Sequence, residues 1–220
     1  MVNRPPGHHN GCSESLEEVE PKGHRFACHG GCILNETAVA VRHAQALLAG
    51  TRKRPHLWKE APRIAVVDLD IHFGDGTAWI FYQDPSVFHL SIHLDQSDDQ
   101  CFPFLVGKPE ERGSGLGIGR TLNLPLAAKA KDVDAWLMFK TCGLSRLLEF
   151  SPEMIFLSCG FDGMDGDPTK ADCKLTPAFY ATIATECESL CPGKVKPLEL
   201  LPYCSPCCAG RITNLTRTSR

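Results

Sequence analysis

Long apolar runs are missing from the 220 residues: none is long enough to cross a bilayer. The first residues, Met1-Val2-Asn3-Arg4-Pro5-Pro6, hold no apolar segment of the kind that directs secretion. Both absences imply a reducing compartment, nucleus or cytoplasm, and no membrane partner. An excess of positive charge is missing too. The formal net charge is −3, which excludes the footprint of a direct nucleic-acid binder. The one basic cluster, Arg52-Lys53-Arg54, sits beside Pro55 and reads as a solvated turn. Cysteine is plentiful, at twelve, but Cys28-x3-Cys32 and Cys204-x2-Cys207 lack a second pair at structural-zinc spacing. Without a secretory signal these residues read as free thiols rather than a disulfide framework. For the same reason the sequons Asn35-Glu36-Thr37 and Asn214-Leu215-Thr216 carry no meaning. The run Gly113 to Gly119 superficially matches a dinucleotide loop, yet no helical pattern follows it.

What is present fits one globular domain, with an ordinary hydrophobic fraction of 43%. Residues 1–35 are loop-like. Glu36 to Leu48 has helical character, with Asn35 placed to cap its start and Gly50 to close its end. Ile64 to Asp68 reads as a buried strand, Asp75 to Tyr82 as a short helix and Val87 to His93 as an alternating strand. Asp95 to Arg120 reads as a long loop and Thr121 to Leu126 as extended. Asp132 to Phe150 reads as one amphipathic helix, Met154 to Cys159 as a third buried strand, and Thr176 to Leu190 as the last helix. Strands alternating with helices predict an α/β fold: a mainly parallel sheet covered on both faces.

The chemistry gathers at two strand ends. Val66-Val67-Asp68-Leu69-Asp70-Ile71-His72-Phe73-Gly74-Asp75-Gly76 runs from a buried strand into acids and a histidine. The carboxyl edge of a parallel sheet is where such folds build sites. Close carboxylates repel unless a cation or a histidine neutralises them. The third strand ends in Gly160-Phe161-Asp162-Gly163. If the two strands are neighbours, Asp70, His72 and Asp162 converge, leaving a metal position open to water as in catalytic zinc sites. The competing reading is of loop acids that cap helices or neutralise one another.

Arg4-Pro5-Pro6-Gly7-His8-His9, Asp68-Leu69-Asp70-Ile71-His72-Phe73-Gly74-Asp75-Gly76-Thr77 and Gly160-Phe161-Asp162-x4-Asp167-Pro168 together closely resemble the zinc-dependent histone deacetylase family. The resemblance runs on through Cys32-Ile33-Leu34-Asn35, Phe81 to Val87, Ser91-Ile92-His93, Phe102-Pro103, Asn123-Leu124-Pro125-Leu126 and Leu175-Thr176. It implies an arginase/deacetylase-like fold and hydrolysis of acetyl-lysine amides in histone tails or other proteins, in chromatin regulation with corepressor-type partners. By motif match Asp70, His72 and Asp162 are the zinc ligands. His8 and His9 match the tandem catalytic histidines, with Asp68 behind His8 and Asp75 behind His9. A potassium ion is implied at Asp68, Asp70, His72, Ser91 and Ile92, and a second at Phe81, Asp84 and Val87. Gly30 and Phe102 match substrate-binding positions. The related arginases need a further acid where Gly74 stands, which favours one catalytic metal over two.

The chain also departs from that pattern. Only Met1-Val2-Asn3 precede the Arg-Pro-Pro-Gly-His-His motif, whereas the family's domain extends well upstream. The expectation is a partial catalytic domain over residues 1–195, incomplete at both ends, with a divergent, irregular tail over 196–220. The family's Gly-Gly-Tyr, whose tyrosine supplies an oxyanion donor, has no match; Tyr203 follows two prolines and is misplaced for it. The aromatic expected after Gly30 is Gly31, which predicts a wider or one-sided tunnel. Two rival expectations follow: a deacetylase of small acetylated amines such as acetylpolyamines, and a non-catalytic remnant that binds a metal or a partner.

Overall fold

The computed structural model describes residues 7–9, 32, 34–50, 61–95, 103, 106–167 and 173–199. Gly30, Phe102 and Tyr203, singled out from the sequence, lie outside them. Five strands form one parallel sheet in the order β3-β2-β1-β4-β5. They are β1 (Ile64–Asp68), β2 (Val87–Leu94), β3 (Thr121–Leu126), β4 (Met154–Cys159) and β5 (Val195–Glu199). All five residues of β1 are buried. A central parallel strand is covered on both faces, so its sequence is a continuous apolar run rather than an alternating one.

The helices are α1 (Glu36–Ala49), α2 (Asp75–Ile80), α3 (Asp132–Met138), α4 (Leu144–Phe150) and α5 (Pro177–Leu190). On one face of the sheet, Ala65, Val67, Phe88, Leu90, Ile92, Ile155 and Leu157 pack with Phe139, Leu147 and Phe150, and with Phe179 and Ile183 of α5. On the other, Ile64, Val66, Val87 and Phe156 pack with Ala38, Val41 and Ala44 of α1. The doubly covered α/β architecture expected from the sequence is the one observed.

Two local features differ from that expectation, and one follows it. The segment read as one helix runs on without a break but contains a π turn, Phe139–Gly143, between α3 and α4. The turn lies against the sheet: a Cβ on Gly143 would stand 2.9 Å from Leu90 Cδ1. Gly50 closes α1 as expected, in right-handed conformation (φ −57°, ψ −17°). The last strand continues past residue 195 as far as Glu199, with Pro197 inside it. Among the described residues β5 pairs only with β4, and an edge strand tolerates a residue that lacks an N–H. No described helix is long and apolar enough to cross a membrane.

Candidate metal centre

β1 and β4 are adjacent and in register, Asp68 opposite Ser158, so both chains leave the sheet at the same edge. Leu69 N–H donates to the Ser158 carbonyl at 2.8 Å and carries the pairing one residue further. Beyond it the backbone turns, and its N–H groups take hold of the carboxylates. Asp70 N–H donates to Asp68 Oδ1 (3.2 Å), Ile71 N–H to Asp162 Oδ1 (3.2 Å) and His72 N–H to Asp70 Oδ1 (2.8 Å). Gly160 is required at this point, because a Cβ there would overlap the Asp70 carboxylate.

These turns bring Asp70, His72 and Asp162 together, with one ligand atom of each within 4.8 Å of the others. His72 Nδ1 lies 2.8 Å from Asp162 Oδ2 and 3.1 Å from Asp70 Oδ1. A tetrahedral ion with bonds of about 2.0–2.1 Å holds its donors about 3.4 Å apart, so the set fits zinc with a small outward movement. The electrostatics agree. Burial alone would pull the His72 imidazole down, but Asp162 and Asp70 raise its pKa to about 11. Burial raises Asp70, yet His8, His72 and His9 together hold its carboxyl well below the usual range. Asp162 is pushed up by burial and by the Asp70 charge, against the pull of His72. Two clustered carboxylates therefore keep a positive charge between them, and a divalent cation that displaces the Nδ1 proton meets the same demand.

The tandem histidines stand beside this cluster. His8 Nδ1 is 2.8 Å from Asp68 Oδ2, and His9 Nδ1 is 2.7 Å from Asp75 Oδ1. Their ring centroids are 4.0 Å apart, and His9 is 6.4 Å from the His72 ring. His8 Nε2 is 3.7 Å from Asp70 Oδ2. The environments push the two apart. Burial opposes charge on both, but Asp68 and Asp70 overcome it at His8 and raise its pKa to about 10. At His9, burial and the His8 charge win over Asp75, and the pKa falls. Gly74 makes room for this pair: a Cβ there would lie 2.6 Å from Asp68 Oδ2 and 2.9 Å from His8 Nδ1.

Asp68 and Ser91 are paired across β1 and β2, with Ile92 the next residue of β2, so these three share one level of the sheet. Ser91 Oγ is 2.8 Å from His93 Nδ1, and His93 Nε2 is 3.0 Å from the Gly107 carbonyl. Only Nε2–H can donate to that carbonyl, so Nδ1 accepts from the Ser91 hydroxyl. The Ser91 oxygen keeps its lone pairs for another partner. On the other flank of Asp68, the buried Ser158 hydroxyl has no hydrogen-bond partner among the described residues.

Sequence reasoning gave no role to His89 and His93. His89 is buried, neither ring nitrogen has a hydrogen-bond partner among the described residues, and it meets Phe73 edge-on at 6.0 Å. Burial is the main reason that the pKa of each falls to about 4. Both stay neutral in the folded protein while an unfolded histidine titrates near 6.5. As pH falls from about 6.5 to about 4, the unfolded chain gains protons that the folded one refuses, so stability drops by about 3 kcal/mol per histidine. His8 and His72, raised to about 10 and about 11, act on the other side. Their stabilisation is complete below about pH 6.5 and is lost as pH rises through their folded values. Urea unfolding of metal-free protein should therefore show a lower midpoint at pH 4.5 than at pH 6.5. An unchanged midpoint would contradict neutral burial.

Comparison with known proteins follows this geometry. Residues 1–201 match the histone deacetylase domain family. The chain is 31% identical over 199 residues to histone deacetylase 6 of Caenorhabditis elegans, covering 89% of this chain and 18% of that protein. It is 36% identical over 180 residues to acetylpolyamine amidohydrolase of Mycoplana ramosa, covering 82% of this chain and 44% of that one. The crystal structure of the HDA15 HD domain matches with a TM-score of 0.71 and 32% identity, over 90% of this chain and 48% of the other. The chain thus spans less than half the length of these relatives.

Proposed function

The chain belongs to the histone deacetylase family, and from that membership we propose that it is a zinc-dependent amide hydrolase acting on acetyl-lysine in histones or other proteins. The observation that carries this reading is the convergence of Asp70, His72 and Asp162 beside two histidines, each backed by its own carboxylate. Zinc held by those three donors would supply a Lewis acid and an acidified water. The remaining work falls to the chain's own side chains. His9, kept neutral, has its Nδ1–H engaged by Asp75, which leaves Nε2 unprotonated and able to take a proton. His8, whose pKa Asp68 and Asp70 raise in the metal-free chain, is placed to hold a positive charge where negative charge would develop on the substrate. A histidine of this pair must also return a proton to the leaving amine. The carboxylates Asp68 and Asp75 fix tautomer and ring orientation. We further place a potassium ion at Asp68, Ser91 and Ile92. The lone pairs left on Ser91 and its place opposite Asp68 across β1 and β2 support that choice.

A second reading, hydrolysis of small acetylated amines, is favoured by the 36% identity to an acetylpolyamine amidohydrolase. The two are separated by measuring zinc content and then turnover of an acetyl-lysine peptide and of an N-acetylated polyamine. One equivalent of zinc with peptide turnover is the expected result. Turnover of the polyamine alone would select the second reading. Stoichiometric zinc with turnover of neither would overturn both and leave a metal-binding remnant.

A further inference from the structure

We infer that Asn35 is a positioning residue for the tandem histidines, acting through the His8 carbonyl; this rests on the role proposed above for His8 and His9. That carbonyl accepts from Thr77 N–H at 2.9 Å, from the Thr77 hydroxyl at 3.3 Å and from Asn35 Nδ2 at 3.4 Å. Asn35 Nδ2 also donates to Thr77 Oγ1 at 3.1 Å, so amide, hydroxyl and carbonyl form one buried network. The orientation of the amide is not free. Asn35 Oδ1 caps α1 by accepting from Ala38 N–H at 2.8 Å, which turns the NH2 group toward His8 and Thr77.

The network joins two elements across the histidine segment. Asn35 is the N-cap of α1, and Thr77 lies in the first turn of α2. That same turn carries Asp75, which holds the His9 ring. The start of α1 grips the segment a second time through Gly7, whose N–H donates to Glu36 Oε2. Gly7 is pressed so close to the Leu34 carbonyl and to Cys32 that a Cβ would not fit. The rings are thus aimed by Asp68 and Asp75, while the backbone that carries them is pinned between two helix starts. Proton transfer at fixed distance needs both, since a displacement of about 1 Å can cost on the order of a hundredfold in rate.

Capping and clamping can be separated by substitution. In Asn35→Ser the hydroxyl still caps α1. It is too short to reach the His8 carbonyl. Thr77→Val removes the hydroxyl and keeps the backbone bond from Thr77 N–H. On the zinc-loaded chain, Asn35→Ser is expected to lower kcat about tenfold or more, within the range seen for displaced catalytic groups. KM, zinc affinity by chelator competition and Tm stay near wild type. The imidazole 15N resonances of His8 and His9 shift, and Thr77→Val moves the same readouts in the same direction by less. Wild-type kcat with unshifted resonances would overturn the inference. So would a loss of zinc affinity and Tm as large as the loss of kcat, which marks a merely structural residue. Should the wild-type chain show no turnover, the resonances decide alone: a shift in Asn35→Ser supports the clamp and no shift refutes it.

Discussion

Replacing Asp162 with alanine is expected to leave the protein folded and to abolish the zinc binding proposed for it. Asp162 provides one of the three converging donors, and no other cluster of three metal-holding His, Cys, Asp or Glu side chains forms among the described residues. Groups that merely support a ligand already cost roughly 10–100-fold in metal affinity when removed, so loss of a direct donor should exceed about a hundredfold. Folding survives for an electrostatic reason. Burial and the Asp70 charge both oppose ionisation of Asp162, so its carboxylate is a burden on the metal-free fold. Truncation relieves that repulsion but gives up the hydrogen bond from Ile71 N–H and the 2.8 Å ion pair with His72 Nδ1. Metal analysis of purified Asp162→Ala should find well under one zinc per chain, with a Tm for the metal-free protein close to that of wild type. Full zinc occupancy in this variant would show that the ion is held elsewhere.

His9→Ala is the second large effect, and it separates chemistry from metal binding. His9 is not a donor to the cluster, and its ring centroid stands 6.4 Å from that of His72. Zinc content should be unchanged. With Nδ1–H engaged by Asp75 and its pKa lowered, His9 is the member of the pair suited to accept a proton near neutral pH, whereas Asp68 and Asp70 raise that of His8 in the metal-free chain. Loss of a general base costs typically about 10²–10⁴ in rate, and kcat should fall by that amount. A variant that keeps its zinc and loses less than about threefold in kcat would remove His9 from the proton-transfer role.

Much of this architecture is legible in the sequence wherever local pattern and burial coincide. Ile64 to Val67 announces a central strand because both of its faces are buried. Asn35 announces the start of α1 because a cap is a local hydrogen bond. The reading was incomplete where a distant contact decides. The π turn at Phe139–Gly143 keeps the helical pattern of its residues, and its place against Leu90 belongs to the tertiary packing. Pro197 argued against a strand, yet the edge position that tolerates it is set by the order of the sheet. In β2, His89, Ser91 and His93 alternate with apolar residues, which marks a strand. The structure buries the polar row as well, turning it toward the metal centre and not toward solvent.

The candidate site shows the same division. Its residues lie in three stretches, at 8–9, 68–75 and 162, each conspicuous for acids and histidines. Their meeting depends on β1 and β4 being neighbours, which no spacing along the chain encodes. Asn35 was legible as a cap and illegible as a clamp, because its second partner is 27 positions away.

The proposed chemistry depends on one coordination sphere, and X-ray absorption at the zinc edge examines it directly. The zinc-loaded chain should show only oxygen and nitrogen neighbours, at about 2.0–2.1 Å, with one imidazole signature from His72. The chain offers twelve cysteines as competing ligands. Sulfur scattering at about 2.3 Å would place the ion on thiolates and contradict the assignment to Asp70, His72 and Asp162.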